Sequence, residues 1–314
     1  LLPALAERAT AAAHARAADC PCGAAVTLAD RPDATVVRHA GTVAKAHAPG
    51  TDPDALAARL GAAARLPGIL LPPLAAAPAR LHGRLVTFWP YGTPVDPADP
   101  DAAPWEAAAT LLARLHRGSP AGHPLNPLPP LPPMRGPVKA AHAVARLRAA
   151  AAHPGAAPVL RAWAGLPAWA RGEAPLPETA VVCHGDLHLG QLVRHPAPDG
   201  PWLLIDVDDL GLGVPAWDLA RPAAWYACGV LPPGQWARFL AAYRSAGGPA
   251  VPPDGDPWPA LDVPARALTV QTAARAVTKA AAEERPLDEV ERALVDACAR
   301  MAALPPQPGA RGAT

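Results

Sequence analysis

The sequence predicts an α+β fold in which a small strand-rich N-terminal part precedes a larger, mainly helical C-terminal part. Three observations carry this. Residues 35–47 alternate around a short turn at Gly41, as a hairpin does. Beyond about residue 95 the apolar residues fall at helical spacing. Two short apolar runs, 180–183 and 203–205, interrupt the helical part, and each leads straight into a cluster of polar residues.

The elements follow in chain order. Residues 1 to about 18 have helical periodicity. In the hairpin, alternation puts Val43, Lys45 and His47 on one face. A helix is expected from Asp52 or Pro53 to Leu66, with Asp52 as its cap and Pro53 in the first turn. A strand pair is expected at 69–71 and 85–89, then an extended connector over 90–94. Trp105, Ala109, Leu112 and His116 share a helical face, and a further helix is expected over 138–152. Helices resume at Ala216, and the last one carries the stripe Leu287, Val290, Leu294, Cys298 and Met301. This divides the chain into 1–89, a connector at 90–94, 95–304, and a frayed tail at 305–314.

Composition narrows the function. The 314 residues suffice for one large domain or two lobes. A net charge of +1, with both signs scattered, gives no basic block and no reason to expect a nucleic-acid partner. No apolar run is long enough to span a bilayer, so a cytoplasmic protein is expected. The five cysteines form no even framework; Cys20-Pro-Cys22 lacks the two-residue spacer of common zinc or redox pairs, and all are read as reduced thiols. The 44 prolines concentrate between patterned segments, as in 127–133, where they make stiff connectors.

The chemistry is concentrated in His184-Gly-Asp-Leu-His-Leu-Gly-Gln191 and in Ile205-Asp-Val-Asp-Asp209. Two adjacent strands ending in Asp186 and Asp206 would bring two carboxylates and an amide to one edge, which suits a divalent cation and a hydroxyl losing a proton. Asp186 is placed to accept that proton or orient the hydroxyl, while Gln191 and Asp206 offer hard oxygen ligands. Asp208 and Asp209 are not separable at this level, and His184 and His188 are more simply read as orienting the loop than as metal ligands. Asp218 is expected to fix the loop by hydrogen bonds from a helix start. The chain has 25 arginines and only three lysines, Lys45, Lys139 and Lys279. A lysine on a strand in such a composition suggests a compact point charge for phosphate.

These motifs resemble the aminoglycoside phosphotransferase and choline kinase-like family, over roughly residues 20–300. Its His-Gly-Asp loop appears at 184–191, and its Ile-Asp followed by Pro-x-x-Asp-Leu-Ala appears at Ile205-Asp206 and Pro215-Ala-Trp-Asp-Leu-Ala220. The resemblance implies a bilobal protein-kinase-like fold with ATP between the lobes. It also implies Asp186 as catalytic base, Gln191 and Asp206 as Mg²⁺ ligands, and Lys45 as the phosphate-contacting lysine. The expected activity is transfer of the γ-phosphate of ATP to a hydroxyl of a small molecule: a sugar, an aminoglycoside or an amino alcohol.

Three departures stand out. Gln191 replaces the family's Asn, as in the maltokinase-like version of the loop; no strict glycine-rich loop precedes Lys45; and the helix after Lys45 has no glutamate to pair with it. If Trp89, Tyr91 and Gly92 form the adenine-binding connector, Pro90 has no N–H to give, so Tyr91 or a near neighbour is the expected donor. Two other readings compete: a nucleotide-binding scaffold without turnover, and a haloacid dehalogenase-like phosphatase suggested by Leu203-Leu-Ile-Asp-Val-Asp-Asp-Leu210. Acids available to a cationic acceptor are Asp254, Asp256, Asp262, Glu283 and Glu284.

Overall fold

A computed structural model describes residues 1–14, 22–118, 128–177 and 181–303. In chain order its elements are α1 (Leu2–Ala13), β1 (Val26–Arg31), β2 (Ala34–His39), β3 (Thr42–Ala46), α2 (Pro53–Arg65), β4 (Ala79–Leu81), β5 (Arg84–Pro90) and β6 (Thr93–Pro94). Then come α3 (Trp105–Arg117), α4 (Gly136–Ala149), α5 (Ala156–Ala164), β7 (Val181–Cys183), β8 (Leu192–Arg194), β9 (Trp202–Leu204) and β10 (Gly211–Gly213). The chain finishes with α6 (Ala216–Ala227), α7 (Pro233–Ser245), α8 (Trp258–Ala282) and α9 (Glu289–Ala303). These elements form two compact units. The described residues of 1–104, 120–132 and 189–208 make the first, and those of 105–119, 133–188 and 209–314 the second.

The first unit is built on an antiparallel sheet ordered β1-β2-β3-β5-β4. The expected hairpin is present as β2 and β3, with His39 opposite Thr42 and Ala40 taking the positive φ that closes the turn. Alternation works as expected on β3. Ala44 and Ala46 are buried with Leu5, Ala9, Val37 and Val86, while Lys45 faces the other way, directly across from Thr87 of β5. The small alanines let α1 lie close on this face. Asp52 caps α2, its Oδ1 accepting from the Asp54 and Ala55 amides at 2.9 and 3.0 Å.

A second small sheet in this unit, β6-β8-β9, carries the segment between the two polar motifs. Residues 69–71 depart from expectation. They do not pair with β5, whose neighbours are β3 and β4; instead Leu70 bridges to Leu204, and the Leu71 amide donates to the Leu204 carbonyl. The Arg84 end of β5 turns back through His82-Gly83 onto β4, and this local hairpin takes the edge that 69–71 would have used.

The second unit is helical around one short ribbon. α6 packs on α8, α4 on α8, α3 on α7, and α9 on both α5 and α8. The ribbon pairs β7 with β10. The strands leading to Asp186 and Asp206 therefore do not pair with each other. β9 pairs with β8 across a short loop, β7 pairs with β10, and each strand satisfies its ladder locally. Strands β8 and β10, three residues each, are too short to announce themselves by alternation.

The expected helix at the N-terminus ends at Ala13, and α4 begins at Gly136 rather than 138. Cys22, Cys183, Cys228 and Cys298 are free thiols, while Cys20, the first part of the proline run and the tail lie outside the described residues. Among the described residues no helix is long and apolar enough to cross a membrane.

Candidate active site

The residues singled out in the sequence fall into two groups, one in each unit. In the first unit Lys45 is the centre. Its Nζ lies 2.7 Å from Asp206 Oδ1 and 2.9 Å from Asp208 Oδ2, and only 13% of its side chain is exposed. This identifies the acidic partners that α2 does not supply. Burial works against the ammonium, but the charges of Asp206 and Asp208 outweigh it and hold the pKa above the ordinary lysine value. Burial likewise opposes the Asp208 carboxylate, yet Lys45 and His47 hold its pKa well below the usual range.

Around this ion pair the polar groups continue in both directions. Gln191 Nε2 donates to Asp206 Oδ2 at 3.1 Å. His47 Nδ1 is 3.1 Å from Asp208 Oδ1, within ion-pair range. Its Nε2 is 2.8 Å from Thr87 Oγ1, which also accepts from Trp89 Nε1 at 2.9 Å. Asp206 itself sits at φ +65°, a left-handed conformation that short polar side chains tolerate better than most.

The connector residues are placed less simply. Trp89 is buried, with its ring N–H engaged by Thr87. The Tyr91 amide, the first choice as an adenine donor, already donates to the Gly41 carbonyl at 2.7 Å. The Tyr91 ring lies under the Arg38 guanidinium, 3.4 Å from its centroid. Gly92 packs so tightly on β8 that a Cβ there would sit 2.5 Å from a Val193 methyl carbon.

In the second unit the His-Gly-Asp loop is held from beneath by Asp218. This carboxylate is 1% exposed and accepts from the His184 amide at 2.6 Å, the Gly185 amide at 2.8 Å and His116 Nε2 at 2.9 Å. Because a carboxylate only accepts, the His116 proton is on Nε2, and Nδ1 takes the Tyr243 hydroxyl at 2.7 Å. The Tyr243 oxygen in turn accepts from the Ala250 amide. Asp218 thus plays the structural part expected of it. Gly185 has φ +85°, and any Cβ there would lie 2.4 Å from the Asp209 carbonyl oxygen, so the loop requires glycine.

Asp186 has both oxygens engaged. Lys139 Nζ lies 2.6 Å from Oδ2, and Arg221 Nη2 donates to Oδ1 at 2.7 Å while its Nε holds the Leu187 carbonyl. Burial would raise the carboxyl pKa, but Lys139 and Arg221 outweigh it and hold it at about 2. Lys139 also binds Asp209 Oδ2 at 2.6 Å. The neighbouring acids therefore separate cleanly: Asp208 belongs with Lys45, Asp209 with Lys139.

Lys139, Arg221, His47 and Thr87 were not among the expected site residues. For Lys139 a signal existed, since the scarcity of lysine that marks Lys45 marks it equally.

This chain belongs to the phosphotransferase enzyme family (APH), whose profile matches residues 34–258. Its fold is protein-kinase-like, as in three solved structures. A choline/ethanolamine kinase family protein from Mesorhizobium loti is 18% identical with a TM-score of 0.56, over 95% of this chain and 93% of that one. Aminoglycoside phosphotransferase APH(4)-Ia is 13% identical with a TM-score of 0.55, over 90% and 94%. Spectinomycin phosphotransferase APH(9)-Ia, solved with ADP and spectinomycin, is 12% identical with a TM-score of 0.56, over 90% and 92%. No curated protein sequence matches the chain.

Proposed function

We propose that this protein is an ATP- and Mg²⁺-dependent phosphotransferase that moves the γ-phosphate onto a hydroxyl of a small molecule. The observation that carries this reading is the ammonium of Lys45 held between Asp206 and Asp208 beside Gln191, in a chain of the phosphotransferase family. The side chains around Asp206 fit a hard divalent cation. Two carboxylates and a side-chain amide offer oxygen, and no thiol is among them. Asp206 and Gln191 would hold Mg²⁺, with the Gln191 amide turned so that its oxygen faces inward. The cation would neutralise charge on the β- and γ-phosphates.

Lys45 holds phosphate oxygens from its place on β3. Asp208 and His47 keep the ammonium in position when Asp206 turns to other work. Since the Tyr91 amide is engaged, Gly92 is the assigned adenine donor. Asp186 orients the acceptor hydroxyl. A carboxylate has about four lone-pair sites, so one more hydrogen bond can join those from Lys139 and Arg221. The acceptor oxygen bonds to the γ-phosphorus as the bond to the β–γ bridging oxygen breaks. That oxygen leaves with the electron pair on ADP, and the hydroxyl proton departs along the hydrogen bond to Asp186 and on to solvent.

A thermal-shift titration with ATP, with and without Mg²⁺, tests the nucleotide half of this reading. The wild type is expected to gain stability from ATP only when Mg²⁺ is present, by about 2.7 kcal/mol at a hundredfold excess over Kd. Asp206→Asn is expected to lose most of that gain. An equal shift without Mg²⁺ would sink the metal assignment. No shift at any nucleotide concentration would sink the phosphotransferase reading.

A further inference from the structure

The surroundings of Asp186 are cationic well beyond what its own charge needs. Asp186 and Asp209 are the carboxylates at this point, and Lys139 with Arg221 already answers them. More positive charge converges on the same place. On α4 and its N-cap, Arg135 and Arg146 lie four residues before and seven after Lys139, which puts them on its helical face. Arg135 Nε is 3.9 Å from Asp209 Oδ1. From α8, which packs on α4, Arg275 comes within electrostatic range of Asp186, Asp209, Arg221 and Arg146.

Arg146 and Arg275 are exposed, and among the described residues their guanidinium groups have no hydrogen bond or ion pair. The Arg275 pKa is lowered, first by burial and then by the repulsion of Arg221 and Arg146, against the attraction of the two carboxylates. Asp186 and Asp209 are already engaged by Lys139 and Arg221, so the further positive charge is left for an anion to answer.

We propose that the acceptor carries an anionic group, a carboxylate or a phosphate, close to the hydroxyl it presents to Asp186, and that Arg146 and Arg275 bind that group. This deepens the phosphotransferase reading and rests on it. A planar guanidinium pair suits both anions, through paired N–H···O bonds. A polycationic acceptor would meet repulsion here. Of the five acids that could have welcomed one, three are engaged: Asp262 pairs with Arg266, Glu283 with Arg285, and Asp256 accepts from the Trp258 amide at the start of α8.

The test is a charge-matched acceptor panel, each carbon skeleton supplied as the acid, the phosphate ester, the neutral alcohol and the amine. Glucuronate, glucose 6-phosphate, glucose and glucosamine form one set, and glycerate, glycerol phosphate, glycerol and serinol another. Binding is measured calorimetrically at fixed ionic strength with Mg²⁺ and AMP-PNP present, and phosphoryl transfer is measured with ATP. The expected result is an anionic member bound at least about tenfold tighter than its neutral partner, with the amine weakest. Arg146→Gln/Arg275→Gln is expected to erase that ratio.

A preference for neutral or amine members, or failure of every anionic member to bind, overturns the inference. So does a double variant that weakens AMP-PNP instead, because the arginines would then serve the nucleotide. Charge-selective binding without transfer to any acceptor keeps the anion site and sinks the phosphotransferase reading. Transfer to a neutral or cationic acceptor without charge preference does the reverse.

Discussion

Asp218→Ala is expected to destabilise the protein by about 3–5 kcal/mol, because three buried donors lose their shared acceptor. The carboxylate is 1% exposed and satisfies three donors at once: the His184 and Gly185 amides and His116 Nε2. Removing it strands two buried backbone N–H groups and an imidazole, each of which costs about 1–3 kcal/mol when left unpaired. Chemical unfolding followed by tryptophan fluorescence measures the loss. Asp218→Asn discriminates the cause. An amide can still accept from one backbone N–H, but its NH₂ faces another donor, so only a partial rescue is expected. Loss of under about 1 kcal/mol in the alanine variant would show that the loop is held by something other than this carboxylate.

Asp186→Asn is expected to lower kcat by on the order of 10²–10⁴-fold while the protein remains folded and binds nucleotide as before. The amide keeps the shape and can still accept from Arg221, but it no longer draws the hydroxyl proton or balances Lys139. The pH profile separates orientation from tuned general-base catalysis. A base tuned to its task would titrate near neutrality, whereas this carboxyl is held at about 2 by Lys139 and Arg221 in the face of burial. No acid limb from Asp186 is expected in the wild-type kcat profile above about pH 4.

The same shift has a stability side. The folded pKa lies below the unfolded value of about 4, so the contribution of Asp186 is present above pH 4 and disappears as the pH falls towards 2. An acid limb near pH 6 that vanishes in Asp186→Asn would overturn the orienting role. So would an asparagine variant that keeps wild-type turnover.

What could be read in advance depended on how local the signal was. The hairpin at β2–β3, the Asp52 cap and the amphipathic α3 each declare themselves within a dozen residues, through alternation, side-chain capping or a 3.6-residue period. The His-Gly-Asp loop and its Asp218 support were legible for the same reason: a polar run straight after a short apolar strand, and an acid at a helix start. The partners of Lys45 were not, because the nearest lies 161 residues away and no spacing rule connects them. Lys139 and Arg221 stand on helices whose own patterns look ordinary, and only packing turns them towards Asp186. The strands before Asp186 and Asp206 do not share a ladder, because three-residue neighbours, invisible to pattern, pair with each of them.

The scarcity of lysine gives the chain a simple reactivity map. Amine-selective reagents attack the neutral amine, and Lys45 and Lys139 are both held as ammonium ions by two carboxylates each. Lys279 is the remaining lysine, with 66% of its side chain exposed on α8. Among the lysines, an acylating dye would therefore mark Lys279 first and leave the two ion-paired ones untouched while those pairs hold. A label found later on Lys45 or Lys139 by peptide mapping would report the opening of that ion pair, turning an accident of composition into a built-in gauge of local motion.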